Sequence, residues 1–115
     1  MKLERIEESD KTLVIKLSGE LDALGSNQIR PDLETITEDK TIQEVTLDLG
    51  EVTFLDSSGI GAIVFMYKRV KAGNRTLKLV EVDGQPRELI ELLRIDSAIP
   101  VTMRGTEKLD TVFPS

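Results

Sequence analysis

Asp56-Ser57-Ser58-Gly59 puts a carboxylate, two hydroxyls and a residue without a side chain in four consecutive positions. Before them, Val45-Thr46-Leu47-Asp48-Leu49 reads as a strand closed by Gly50. After them, apolar residues at helical spacing run through Lys71-Ala72, and Gly73-Asn74 forms a stop signal. The group therefore falls where a strand turns into a helix. A helix start carries unsatisfied N–H groups and a partial positive charge, so Asp and Ser there act as caps. A hydroxyl at such a corner is also placed to carry a phosphate, because backbone donors and the dipole favour a dianion. Cap and phosphoacceptor are compatible roles. The chemistry this stretch offers is receipt of a phosphoryl group.

Catalysis by the chain itself has little to work with. It contains no Cys and no His. That removes thiol nucleophiles, His acid–base catalysis, disulfides and the usual zinc sites. Carboxylates remain, but no pair is spaced to line a pocket. No catalytic residue, metal ligand or cofactor is expected. The net charge of −6 argues against nucleic acid or an anionic membrane as partner and fits a protein with a basic face. Three Phe, one Tyr and no Trp leave no stacking platform for single-stranded nucleic acid. No apolar run approaches spanning length, and Met1-Lys2-Leu3-Glu4-Arg5 does not look like a signal peptide. A soluble, cytoplasmic protein is expected.

The 115 residues suit one domain, residues 1–115, with an aliphatic core. Leu3 to Glu8 and Thr12 to Leu17 read as a hairpin with its first strand at an edge and its second inside. Ser18-Gly19-Glu20-Leu21-Asp22 reads as a loop. Ile29, Leu33 and Ile36 have helical spacing, and Asn27 as N-cap would place Pro31 in the first turn, where its missing N–H is harmless. The strand from Glu44 to Leu49 and the long helix follow, with Ile60, Ile63, Val64 and Tyr67 as a core stripe widened by Phe65, Met66 and Val70. Lys68, Arg69 and Lys71 complement the dipole at its end. Arg75 to Val82 reads as an interior strand, and a third helix opens at Asp83-Gly84-Gln85-Pro86. Ile99 to Met103 reads as a short edge strand, and Thr106 to Val112 as a closing helical turn. The order β-β-α-β-α-β-α-β-α implies an α/β domain: a mostly parallel mixed sheet of about five strands with an N-terminal hairpin and helices packed around it. Asp48 inside a strand calls for a nearby donor.

Val45 to Leu49 with Phe54-Leu55-Asp56-Ser57-Ser58-Gly59-Ile60-Gly61 resembles the signature of the anti-sigma factor antagonists, which belong to the STAS domains. Ser18-Gly19-Glu20-Leu21-Asp22 is similar to the family's first-loop pattern. The resemblance covers nearly the whole chain. It implies that the unphosphorylated protein binds an anti-sigma factor that is also a serine protein kinase, and so releases sigma factor. It implies that the kinase phosphorylates Ser57, that affinity is then lost, and that a PP2C-type phosphatase restores it. On this reading the chain is substrate and ligand, and little conformational change accompanies the switch.

The resemblance makes Glu20, Asp22, Asp56, Ser57, Ser58, Gly59 and Gly61 the partner-binding set. Ser58 is read as a cap or first-turn hydroxyl, and Asp56 as both cap and kinase contact. Glu20 and Asp22 are either plain surface acids or partner contacts at the rim that carries Ser57, with the second role preferred. Gly59 and Gly61 either let a partner approach the backbone or let the helix pack closely on the sheet. The first role is preferred for Gly59, and the two are balanced for Gly61. Pro31 and Arg94-Ile95-Asp96, where relatives often carry a Gly-Leu pair, depart from the pattern. Two other functions compete. One is a STAS subunit of an ABC-type lipid transport system, acting without phosphorylation. The other is a receiver-like aspartyl phosphoacceptor at Asp56, for which an acidic pair after the first strand and a Lys after the last are missing.

Overall fold

A computed structural model describes residues 1–105. The strands are β1 (Lys2–Glu7), β2 (Thr12–Leu21), β3 (Glu44–Leu55), β4 (Thr76–Val82) and β5 (Val101–Met103). The helices are α1 (Ala23–Glu38), α2 (Ser57–Ala72) and α3 (Gly84–Leu92), followed by a 3-10 turn at Ile95–Ser97. The expected closing turn at Thr106 to Val112 lies outside the described residues. The sheet order is β1-β2-β3-β4-β5, with β1 antiparallel to β2 and every other pair parallel. A receiver-like sheet has the order 2-1-3-4-5, so this topology does not support that reading.

Alternation explains the layering. Leu13, Ile15 and Leu17 on β2, Val45, Leu47 and Leu49 on β3, and Leu77 and Leu79 on β4 are buried. Of the residues between them, Val14, Lys16, Asp48 and Lys78 are half-buried or exposed, and only Thr46 is buried. One core cluster takes Ile29, Leu33 and Ile36 from α1, Ile60, Ile63, Met66 and Val70 from α2, and Ile90 from α3. On α2 the buried stripe is therefore centred on Met66 and Val70, while Val64 and Tyr67 sit half-buried at its margin.

Two strand ends and one helix start are placed differently from the sequence expectation. β2 continues through Leu21, and α1 starts at Ala23 with Asp22 as N-cap, five residues before the N-cap expected at Asn27. Asp22 captures the Gly25 N–H, so the helix nucleates there and Pro31 falls mid-helix. Pro31 and Asn27, whose carbonyl loses its helical partner, are both exposed, so water can take up that carbonyl. β3 does not stop at Gly50 but runs to Leu55. Asp48 finds its donor in the Gly50 N–H at 2.9 Å, and the Arg104 guanidinium donates to the Gly50 carbonyl at 2.8 Å.

The C-terminal end of α1 has no basic residue of its own. Arg75, only 8% exposed, supplies the charge from the start of β4, donating to the Thr37 carbonyl at 2.6 Å and the Asp39 carbonyl at 3.1 Å. A hydrogen bond from the Thr41 hydroxyl, with the Thr41 N–H, holds the Asp39 carboxyl below its ordinary range. A lowered pKa of this kind adds stability above the ordinary carboxylate range, which is lost as pH falls through the lowered value.

Arg94 has φ 57° and ψ 35°, the left-handed conformation in which helices usually place Gly just past their end. A Gly here would avoid the Cβ strain, which is about 1–2 kcal/mol for an L-residue. Arg94→Gly is therefore expected to raise stability by about 1 kcal/mol after the extra freedom of Gly in the unfolded chain is subtracted. Urea unfolding measures this as a higher midpoint with an unchanged slope.

Candidate functional site

β2 and β3 are in register at their ends, with Leu21 opposite Leu55 and both side chains fully buried. Each strand then hands over to a helix through the same five-residue device. Leu21-Asp22-Ala23-Leu24-Gly25 starts α1, and Leu55-Asp56-Ser57-Ser58-Gly59 starts α2. Asp22 Oδ1 accepts the Gly25 N–H at 2.8 Å. Asp56 Oδ1 accepts the Ser58 and Gly59 N–H groups at 2.9 and 3.1 Å. The Asp56 N–H reaches the Leu21 carbonyl at 3.4 Å, tying the two corners together. Sequence inspection finds no repeat because only Leu, Asp and Gly recur, and it is the register that makes the two stretches equivalent.

Both glycines in the device are buried. A Cβ on Gly25 would run into the Glu20 carbonyl, and one on Gly59 into the Leu21 carbonyl and the Leu55 side chain. Each helix start is folded back against a strand end, and only Gly fits. Close packing, the less favoured role in the sequence reading, thus accounts for Gly59. Gly61 is the reverse case: it is exposed, and a Cβ there would meet nothing within 4 Å. It is open to an approaching surface.

Ser57 and Ser58 are the first two residues of α2, and both are exposed. The helix-start donors that could have embraced a phosphate are partly taken, since Asp56 holds two of them. A phosphate on Ser57 would stand beside that carboxylate. Glu20 is exposed, next to the Asp22 corner and opposite Phe54 in register. The rim thus brings together Glu20, Asp22, Asp56, Ser57 and Ser58, and Gly61 lies one turn further along α2. A groove of about 540 Å³ runs between α1 and α2, lined among others by Ala23, Arg30, Ser58, Gly61 and Phe65. The Arg69 guanidinium lies 4.7 Å from the centroid of the Phe65 ring.

Gln85 has no signal in the sequence beyond opening α3. Its carboxamide bonds both backbone groups of Leu55, accepting the N–H and donating to the carbonyl, each at 2.8 Å. Among the described residues no cluster of three or more His, Cys, Asp or Glu is arranged to hold a metal ion. No described helix is long and apolar enough to cross a membrane.

Residues 5–109 match the family described as the STAS domain. The chain is 26% identical over 89 residues to the anti-sigma F factor antagonist of Paenibacillus polymyxa, covering 77% of this chain and 76% of that protein. Its fold is similar to that of the anti-sigma factor antagonist SpoIIAA in its unphosphorylated form, with a TM-score of 0.69 and 22% identity over 96% of this chain and 97% of the other. It is also similar to an anti-sigma factor antagonist from Mycobacterium paratuberculosis, with a TM-score of 0.77 and 21% identity over 96% and 94% of the two chains.

Proposed function

The chain belongs to the STAS domain family, and we propose that it is an anti-sigma factor antagonist switched by phosphorylation of Ser57. The unphosphorylated form binds an anti-sigma serine kinase and displaces sigma factor. The kinase, with its own ATP and Mg²⁺, phosphorylates Ser57, and a PP2C-type phosphatase resets the switch in the cytoplasm. The chain acts as ligand and substrate, with no catalysis of its own. The names of its relatives support the partner class.

One observation carries the reading: an exposed hydroxyl at the first position of α2, beside a carboxylate that already occupies the next two helix amides. Phosphate adds roughly −1.5 to −2 charge at neutral pH. With those amides engaged, the dianion faces outward, among Asp56, Asp22 and Glu20, onto a chain already at −6. It acts at the docking surface by repulsion and desolvation, and the fold need not change.

The test is sigma release. Unphosphorylated protein added to a preformed complex of sigma factor and anti-sigma kinase should free sigma stoichiometrically, read by native gel or transcription. Sigma remaining bound at saturating antagonist would refute the role.

A further inference from the structure

β3 pairs with β4 only from Glu44 to Asp48, while its pairing with β2 continues to Leu55. The far side of the strand end therefore has no neighbouring strand. Gln85 stands in for one. Its Oε1 accepts the Leu55 N–H, its Nε2 donates to the Leu55 carbonyl, and both bonds are 2.8 Å. This is the donor and acceptor pair that a peptide unit of an adjacent strand would offer. Leu55 is fully buried, so without Gln85 those two groups would lack a partner in a dry setting. The residue after Gln85 is the buried Pro86, whose ring fixes the backbone at the start of α3. The clamp is thus held on a rigid element. On the other side, the Asp56 N–H is tied to the Leu21 carbonyl.

We propose that Gln85 is a positioning residue for phosphorylation of Ser57. By fixing the peptide groups of Leu55 from outside the strand, it holds the Asp56 cap in place and presents the Ser57 hydroxyl in one orientation to the kinase. This inference rests on Ser57 being the phosphoacceptor. A misplaced acceptor lowers the rate of phosphoryl transfer more than it lowers docking, because docking uses the whole rim while transfer needs one geometry.

Wild type, Gln85→Ala and Gln85→Glu separate this role from simple stabilisation. In Gln85→Ala, the Leu55 amide should exchange with solvent about tenfold faster or more, and kcat for Ser57 phosphorylation should fall by about tenfold with KM nearly unchanged. In Gln85→Glu, the carboxylate can accept the Leu55 N–H but repels the Leu55 carbonyl. The protonated acid can make both bonds, so the amide resonances of Leu55, Asp56 and Ser57 should return toward wild-type positions as pH falls through the Glu pKa, which this contact raises above about 4.3. Gln85→Ala should show no such return. If Gln85→Ala does not fold, the pH-driven return in Gln85→Glu carries the test. Wild-type phosphorylation kinetics in a folded Gln85→Ala, whatever its Leu55 exchange, or resonances in Gln85→Glu that ignore pH, would overturn the proposal. Failure of the kinase to label Ser57 in the wild-type protein would instead overturn the phosphoacceptor reading, and the positioning role with it.

Discussion

Replacing Ser57 with Ala is expected to give an antagonist that binds its kinase at wild-type affinity and is never phosphorylated. Ser57 is exposed and makes no side-chain hydrogen bond among the described residues, whereas the cap of α2 comes from Asp56. Removing the hydroxyl should therefore cost well under 1 kcal/mol of stability. Ser57→Asp places one charge where the phosphate would place nearly two. It should weaken binding in the same direction but by less. A loss of 3 kcal/mol on full phosphorylation corresponds to more than about a hundredfold in Kd. Ser58→Ala separates the two hydroxyls. Its backbone N–H still serves Asp56, so the fold and the phosphorylation of Ser57 should both survive. Mass spectrometry after incubation with kinase and ATP reads the two alanine variants, and titration of the kinase reads Ser57→Asp. Stoichiometric phosphate on Ser57→Ala would move the acceptor to Ser58.

The second large effect concerns stability. Gly59→Ala is expected to destabilise the domain by roughly 2–4 kcal/mol, despite the better helix propensity of Ala. The added methyl meets the Leu21 carbonyl, which is backbone, and the Leu55 side chain, which is in the core. Neither can swing aside without disturbing the paired strand ends. Gly61→Ala provides the opposite sign. Its methyl enters open space in the first turns of α2, so it should add up to about 1 kcal/mol. Urea midpoints of the two variants should therefore fall on opposite sides of wild type. A Gly59→Ala protein as stable as wild type would mean that the helix start is not packed on Leu21. A loss of kinase affinity in the stable Gly61→Ala protein would mark the face of α2 that the partner approaches.

The parts of this protein that can be read in its sequence are those fixed by local chemistry. Asp56-Ser57 before a run of helical period announces a capped helix start, and the apolar run from Thr12 to Leu17 announces an interior strand. Both are placed where the residues predict. At the start of α1 two signals compete. Pro31 favours a start at Asn27, but the Asp22–Gly25 cap lies upstream and prevails. A proline on the exposed side of a helix is tolerable, whereas an uncapped helix start against a buried strand end is not. Other features have no local trace. Arg75 serves the end of a helix nearly forty residues earlier, and Gln85 completes a strand thirty residues away. In a linear reading each is one more polar residue. Gly59 shows a different limit. A missing side chain at a helix start makes room either for a partner or for Leu21, and only the register of β2 against β3 decides for Leu21.

The most direct measurement is calorimetric titration of the cognate anti-sigma kinase, at one ionic strength, with the protein unmodified and with the same protein phosphorylated on Ser57 alone. The account predicts tight binding of the first and at least about a hundredfold weaker binding of the second, with the two forms giving the same circular dichroism spectrum. Equal affinities for the two forms would contradict it.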